Sequence, residues 1–328
     1  MKKFLLFLIS LLIGVILFIW VINYVGWQEI KKAFSVFTGW QGMVILFLTF
    51  LLMLTGVWKW KVVLKSNGVD ISFSDLFQPY FAGFSIMYLM PIMLLGGETL
   101  RAYFLKEKKS VSWSKGMASV IVDRILDWTT NLIIVFFGMS FFLFKIGLPP
   151  QKLAIIFGGT FLFWLIGICF FYFKAFKKES MLKIFLRAFN FGKKDNQPLE
   201  FEKEIFNFFK IKKISFWRGL GLAFLEELIV FLRAGLLILF LGKAIDPLSV
   251  LSIDSFSYLA TMIPIPASLG SHEVLQAFAF NALRLGAGFG TTFTLILRGA
   301  EIILVFFGIG ILLKMGLKIF EDYSKNES

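Results

Sequence analysis

The sequence predicts an all-α integral membrane protein. Six full spans and two oppositely oriented re-entrant helical hairpins form an inverted repeat. Three observations predict this. First, the 328 residues are 58% hydrophobic, with a mean hydropathy of +0.81. Soluble domains are nearer half apolar, and here the excess sits in long blocks. Second, Lys and Arg gather at the ends of those blocks, as they do on the cytoplasmic side of a membrane. Third, two segments broken by Pro and Gly carry similar charged residues in the same order.

In chain order, residues 4–25 read as a first span. The run is too long for a signal peptide, and no small-x-small cleavage site follows it, so it is expected to stay uncleaved. Trp27, Ile30, Ala33, Phe34 and Phe37 have helical spacing and suggest a short piece on the membrane surface. The second span is read at 40–58, closed by Lys59, Lys61 and Lys65, with Trp58 and Trp60 at the interface. Residues 73–95 are apolar but interrupted by Pro79 and Pro91 and ended by Gly96 and Gly97; 98–109 then reads as a short amphipathic helix. The third span is read at 113–144 and the fourth at 153–173.

The next 42 residues, 174–215, hold 11 Lys or Arg and 5 Asp or Glu, a net charge of +6. They read as a basic linker with two surface helices, built on Ile184, Phe185 and Phe189 and on Ile205, Phe206 and Phe209. The linker is too short for a catalytic domain, which needs about 100 residues. The fifth span is read at 217–241 and carries Glu226, Glu227 and Arg233. Residues 247–263 end in Pro264 and Pro266. After Gly270, His272 and Glu273 a second short helix runs to about 285. The last span, 289–313, contains Arg298 and Glu301.

Topology follows from parity. If 73–95 crossed the membrane fully, the basic cluster at 106–115 and the +6 linker would both lie outside. If 73–109 dips in and returns, every basic cluster falls inside. The same reasoning makes 247–285 a hairpin entering from the other face. Both termini are then cytoplasmic, in a multi-pass protein of the cell membrane. Backbone broken by Pro and Gly is tolerated at membrane depth only where protein or water covers it. The tips at Pro91, Gly96 and Gly97, and at Pro264, Pro266 and Gly270, are therefore expected to line a cavity.

The two hairpins are similar in sequence. Glu98, Leu100, Ala102 and Tyr103 match Glu273, Leu275, Ala277 and Phe278. Arg124 follows Glu98 by 26 residues and Arg298 follows Glu273 by 25. Each Arg has an acid three residues on, Asp127 and Glu301, and each helix continues to the same string, VFFG, at 135–138 and 305–308. One domain, 1–328, is thus divided into a first half at 40–144, the linker and a second half at 216–313. Inverted repeats of this kind place a site near the midplane, between broken helices.

Charges at membrane depth are costly and usually functional. Glu98, Arg101, Asp123, Arg124, Asp127, Glu226, Arg233, His272, Glu273, Arg298 and Glu301 are the candidate substrate-binding residues. One reading makes them an ion-pair network that locks helices together. The other makes them a headgroup pocket, with Arg101, Arg124 and Arg298 on phosphate and the acids on amine or hydroxyl groups. A third lets Glu98, Asp127, Glu273 or Glu301 carry protons.

Other chemistries are excluded. Cys169 and His272 are the single residues of their kind, so one chain can form no disulfide, cysteine-rich zinc site or two-His site. No nucleophile elbow, His-Glu-x-x-His or phosphate-cradling glycine loop occurs. No catalytic residue, metal or cofactor is assigned, and the protein is read as no enzyme. The net charge of +13 and pI of about 9.7 point to anionic lipid surfaces. The basic residues flank apolar spans and form no single stripe, so nucleic acid is not a partner. The 43 Phe residues are read as packing and lipid-facing groups.

Gly-Gly-Glu-x-x-Arg at 96–101, Asp-Arg-x-x-Asp at 123–127 and Pro-x-Pro followed by Gly and Glu at 264–273 together resemble a known family. It is the transmembrane, flippase-like domain of lysylphosphatidylglycerol synthases and their stand-alone relatives. The resemblance covers nearly the whole chain. It implies an inner-membrane protein that moves a polar-headed, aminoacylated or glycosylated lipid between leaflets, as a stand-alone member without the aminoacyl-transferase domain of bifunctional relatives. Ala267, Ser268 and Leu269 stand where the family is richer in glycine, which bears on the substrate. The implied partners are membrane lipids, anionic or modified phospholipid among them, and a homo-oligomer is compatible with this reading. Two other functions remain open on the residues alone: a proton-coupled transporter of a small polar solute, and an accessory subunit of a lipid-modifying enzyme.

Overall fold

Helix starts follow from local chemistry. Asp246 precedes Pro247; its Oδ1 accepts the Ser249 amide at 2.9 Å, and proline is preset for the first helical position. Ser72 accepts the Asp75 amide at 3.2 Å and donates to Asp75 Oδ2 at 2.8 Å, a reciprocal cap. Glu273 reaches back to the Gly270 amide at 2.8 Å. That cap turns on Gly270, whose φ of 82° favours glycine.

The computed structural model describes residues 27–28, 31, 39–89, 97–177, 197–210, 213–262 and 270–326. Among them are ten helices and no strand: α1 (Gly39–Ser66), α2 (Phe73–Leu89), α3 (Gly97–Lys109), α4 (Trp113–Ile146), α5 (Gln151–Lys177), α6 (Gln197–Phe208), α7 (Ile214–Phe240), α8 (Pro247–Met262), α9 (Ser271–Ala282) and α10 (Ala287–Asn326). The expected span at 4–25, the tip residues Pro91, Gly96, Pro264 and Pro266, and the cluster of Ile184, Phe185 and Phe189 lie outside the described residues.

Among the described residues, four segments are long and apolar enough to cross a membrane: Gly39–Ser66, Trp113–Ile146, Leu153–Lys177 and Ala287–Lys314. The expected fifth span, α7, is 27 residues long but carries Arg218, Glu226, Glu227 and Arg233. Within the two expected hairpins, α2 packs against α3 and α8 against α9.

Three expectations are corrected. Pro79 does not interrupt α2, which runs through it. Lys59 and Trp60 are not exposed residues at a helix end, since α1 continues to Ser66 and both side chains are buried. The cluster of Ile205, Phe206 and Phe209 is no solvated surface patch. Ile205, Phe208 and Phe209 are buried, and Phe209 stacks edge-on against Phe171 and Tyr172. Aromatic area of this size is withdrawn from water whenever a neighbour can cover it.

The chain forms two compact units that do not coincide with the sequence halves. One comprises 1–52, 128–168 and 224–301; the other 53–127, 169–223 and 302–328. Each therefore combines one hairpin with the VFFG segment of the other half. In the unit holding 53–127, Gly308 meets the Phe81 carbonyl and Ser85 of α2, and Ser85 donates to the Val305 carbonyl at 2.9 Å. In the unit holding 224–301, Gly138 meets the Leu251 carbonyl and Ser255 of α8, and Ser255 donates to the Ile134 carbonyl at 3.0 Å.

The unit holding 224–301 also has an exposed polar clasp, at the end of an apolar span. Lys145, at the end of α4, donates to Asp246 Oδ2 at 2.6 Å and to Ser249 at 2.9 Å. Partial burial alone would raise the Asp246 pKa. Hydrogen bonds from Lys145 and Ser249 outweigh it and hold the carboxyl at about 2, below its ordinary range. A lowered folded-state value means stabilisation that is full above about pH 4 and lost as pH falls toward 2. Both groups are over two-fifths exposed, so solvent screening reduces the effect. Lys145→Met is expected to cost about 0.2–1 kcal/mol near neutral pH, and thermal unfolding repeated at pH 2 should show that cost gone.

Candidate functional site

The first hairpin's charges assemble within the unit holding 53–127. Gly97 faces Gly83 so closely that a Cβ there would lie 1.7 Å from the Gly83 carbonyl oxygen. This contact brings the start of α3, with Glu98 and Arg101, hard against α2. Arg101 is 4% exposed. Its guanidinium lies over Trp60 at 4.1 Å and Tyr80 at 4.5 Å, and it donates to Asp123 Oδ2 at 2.9 Å. Stacked and paired in this way, an arginine is a clamp. Lys59 bonds to Asp127 and lies 3.5 Å from Asp123. Arg124 donates to Glu98 at 3.1 Å and sits 3.6 Å from Asp127, the expected i, i+3 pair. The cluster balances: Lys59, Arg101 and Arg124 against Glu98, Asp123 and Asp127. Its inner members are sealed, while Arg124 and Asp127 remain 27% and 23% exposed.

The second hairpin's charges assemble within the other unit on the same plan. Gly290 of α10 approaches the Gln276 carbonyl of α9, as Gly116 of α4 approaches the Ala102 carbonyl of α3. Arg298 lies 3.3 Å from Glu273, as Arg124 pairs with Glu98. Arg233 lies 3.6 Å from Glu301, as Lys59 pairs with Asp127, and donates to Thr49 at 3.1 Å. Gln276 takes the place of Arg101 and donates to the Ile253 carbonyl and Ser257. His272 is half-buried, within electrostatic reach of Arg298. Glu226 is half-buried, and its neighbour Glu227 points into the interior instead. There Glu227 accepts from Tyr258 at 2.5 Å and from Thr130 at 3.1 Å.

Sequence reasoning missed Lys59, Glu227, Asp254 and Tyr258. A signal for Lys59 existed. Arg233, Arg298 and Glu301 follow Lys59, Arg124 and Asp127 at one constant offset, so extending the repeat back to the preceding helix would have found it. Glu227, Asp254 and Tyr258 lack a matching acid pair in the first half, where Met53 and Phe84 stand in place of the two acids.

The same unit carries an apolar cleft of about 270 Å³ between α4 and α5, lined by Val135, Met139, Leu143, Leu148, Phe157 and Phe161, with Leu259 of α8.

Helices throughout the described residues, several apolar spans and two internally repeated charge clusters define a polytopic membrane protein. The chain belongs to the family described as the lysylphosphatidylglycerol synthase TM region, which matches residues 7–308. It is similar to a UPF0104 membrane protein of Pyrococcus horikoshii, 27% identical over 91% of this chain and 92% of the relative. It is also similar to a UPF0104 membrane protein of Methanocaldococcus jannaschii, 24% identical over 75% and 76% of the two chains.

Proposed function

We propose that this protein is a lipid translocase that moves a polar-headed phospholipid, anionic or carrying an aminoacyl or sugar group, between membrane leaflets, without enzymatic chemistry. The exposure of Arg124 carries this reading. Of the three cations in its cluster, Lys59 and Arg101 are sealed against Asp123, while Arg124 presents a quarter of its side chain outward. A guanidinium so placed suits phosphate, and Asp127 beside it suits an amine or hydroxyl. Family membership supports a lipid substrate. The basic clusters support six spans, two re-entrant hairpins and cytoplasmic termini.

The test is movement of labelled phosphatidylglycerol in proteoliposomes. A charge-assisted contact is worth about 1.5–3 kcal/mol, so Arg124→Ala is expected to slow movement about tenfold to a hundredfold. Arg124→Lys should retain part of the rate. Wild-type rates in Arg124→Ala would overturn the reading, and uptake of a polar solute without lipid movement would favour a proton-coupled solute transporter. With Cys169 replaced, Lys108→Cys should react with impermeant reagents from the cytoplasmic side only.

A further inference from the structure

The two charge clusters follow one plan but do not balance alike. The first has three cations and three acids. The second has Arg233 and Arg298 against Glu273, Glu301, Glu227 and Asp254. Both cations are engaged, Arg298 beside Glu273 and Arg233 beside Glu301. The two further acids are both at least nine-tenths buried, with Glu227 9% and Asp254 4% exposed.

Those two acids are not equivalent. Glu227 accepts hydrogen bonds from Tyr258 and Thr130, donors that suit an ionised carboxylate. Asp254 has no hydrogen bond or ion pair among the described residues. The groups that act on it are few. From α7 come Glu227 and Arg233, and Tyr258 lies one turn on along its own helix. From α10, Glu301 is engaged with Arg233. A buried carboxylate without a donor, beside a second carboxylate, costs several kcal/mol in a low dielectric, and a bound proton removes that cost.

We infer that Asp254 is a proton-binding site, holding a proton at neutral pH while Glu227 beside it is ionised. Proton binding and release at this one position would change the cluster's excess of acids over cations between one and two. It also moves the proton-carrying role away from Glu98, Asp127, Glu273 and Glu301, each of which has a cation beside it. Coupling of this proton to lipid movement rests on the translocase reading; the site itself does not.

Infrared difference spectroscopy of the purified full-length protein tests the site, because a protonated carboxyl absorbs apart from a carboxylate and shifts in heavy water. At pH 7 the wild type should show a buried protonated carboxyl. Asp254→Asn, which keeps the shape, should lose that band. Glu227→Gln should keep it and titrate it at lower pH, since the neighbouring negative charge is gone. No band in the wild type, or a band that persists in Asp254→Asn, would overturn the inference. Thermal unfolding of each variant confirms that it is folded. The measurement needs no lipid movement, so its failure and the failure of the translocase reading are told apart.

Discussion

Lys59→Met is expected to destabilise the protein by about 3–5 kcal/mol, the cost of breaking a buried pair from one side. Lys59 is 1% exposed, bonds to Asp127 and lies 3.5 Å from Asp123. Methionine fills most of the space of the lysine stem, so packing changes little and charge changes by one. Asp123 keeps Arg101, and Asp127 keeps the longer contact with Arg124, which also serves Glu98. Against a total stability of about 5–15 kcal/mol, the loss should appear as a large drop in the unfolding temperature of the detergent-purified protein. Adding Asp127→Asn should restore part of it, because the stranded charge is removed with its partner. Lys65→Met is the control. Lys65 and Asp70 are both 69% exposed, and the change should cost under about 0.5 kcal/mol. Equal effects at Lys59 and Lys65 would mean that Lys59 sits at the surface.

Lys59 also shows what the sequence could reveal. A lysine at the end of an apolar run ordinarily sits at the interface, and by hydropathy the run ends at Trp58. Its helix runs on to Ser66, which places Lys59 inside. Arg124, Asp127, Glu98 and Glu273 were legible because their spacing is local and recurs in the two halves. Glu227 was not, because adjacent acids on a helix point about 100° apart, and only the packing partner decides which one is buried. Asp254 was a single acid in a moderately apolar stretch, with nothing nearby in sequence to mark it. Most of the helices were readable from apolar runs and the Pro, Gly and Lys residues at their ends, although α1 runs past 58 to Ser66 and α10 past 313 to Asn326. The division into units was not, because it depends on contacts between residues far apart in the chain.

That division yields the second large expected effect. Gly138→Ala and Gly308→Ala should each cost about 3 kcal/mol, the range of overpacking in a rigid contact. A Cβ at Gly138 would lie 2.0 Å from Ser255 Oγ and 2.4 Å from the Leu251 carbonyl oxygen. At Gly308 it would lie 2.1 Å from Ser85 Oγ and 2.4 Å from the Phe81 carbonyl oxygen. In both cases the serine that would have to move also bonds across to the glycine-bearing helix, at Ile134 and at Val305. The clash and the lost hydrogen bond therefore act together. Ser255→Ala should relieve part of the Gly138→Ala defect but not all of it, because the Leu251 carbonyl remains in the way. Gly310, two residues beyond Gly308 on α10, has nothing within 4 Å of its added Cβ. Gly310→Ala should be neutral or stabilising by up to about 1 kcal/mol. A general intolerance of α10 to alanine would affect both positions, whereas helix contact at α2 predicts a loss at Gly308 alone. The matched loss at Gly138, against α8, is the sharper demand. The two VFFG strings are alike because each receives the same kind of serine-bearing helix from the other half of the chain.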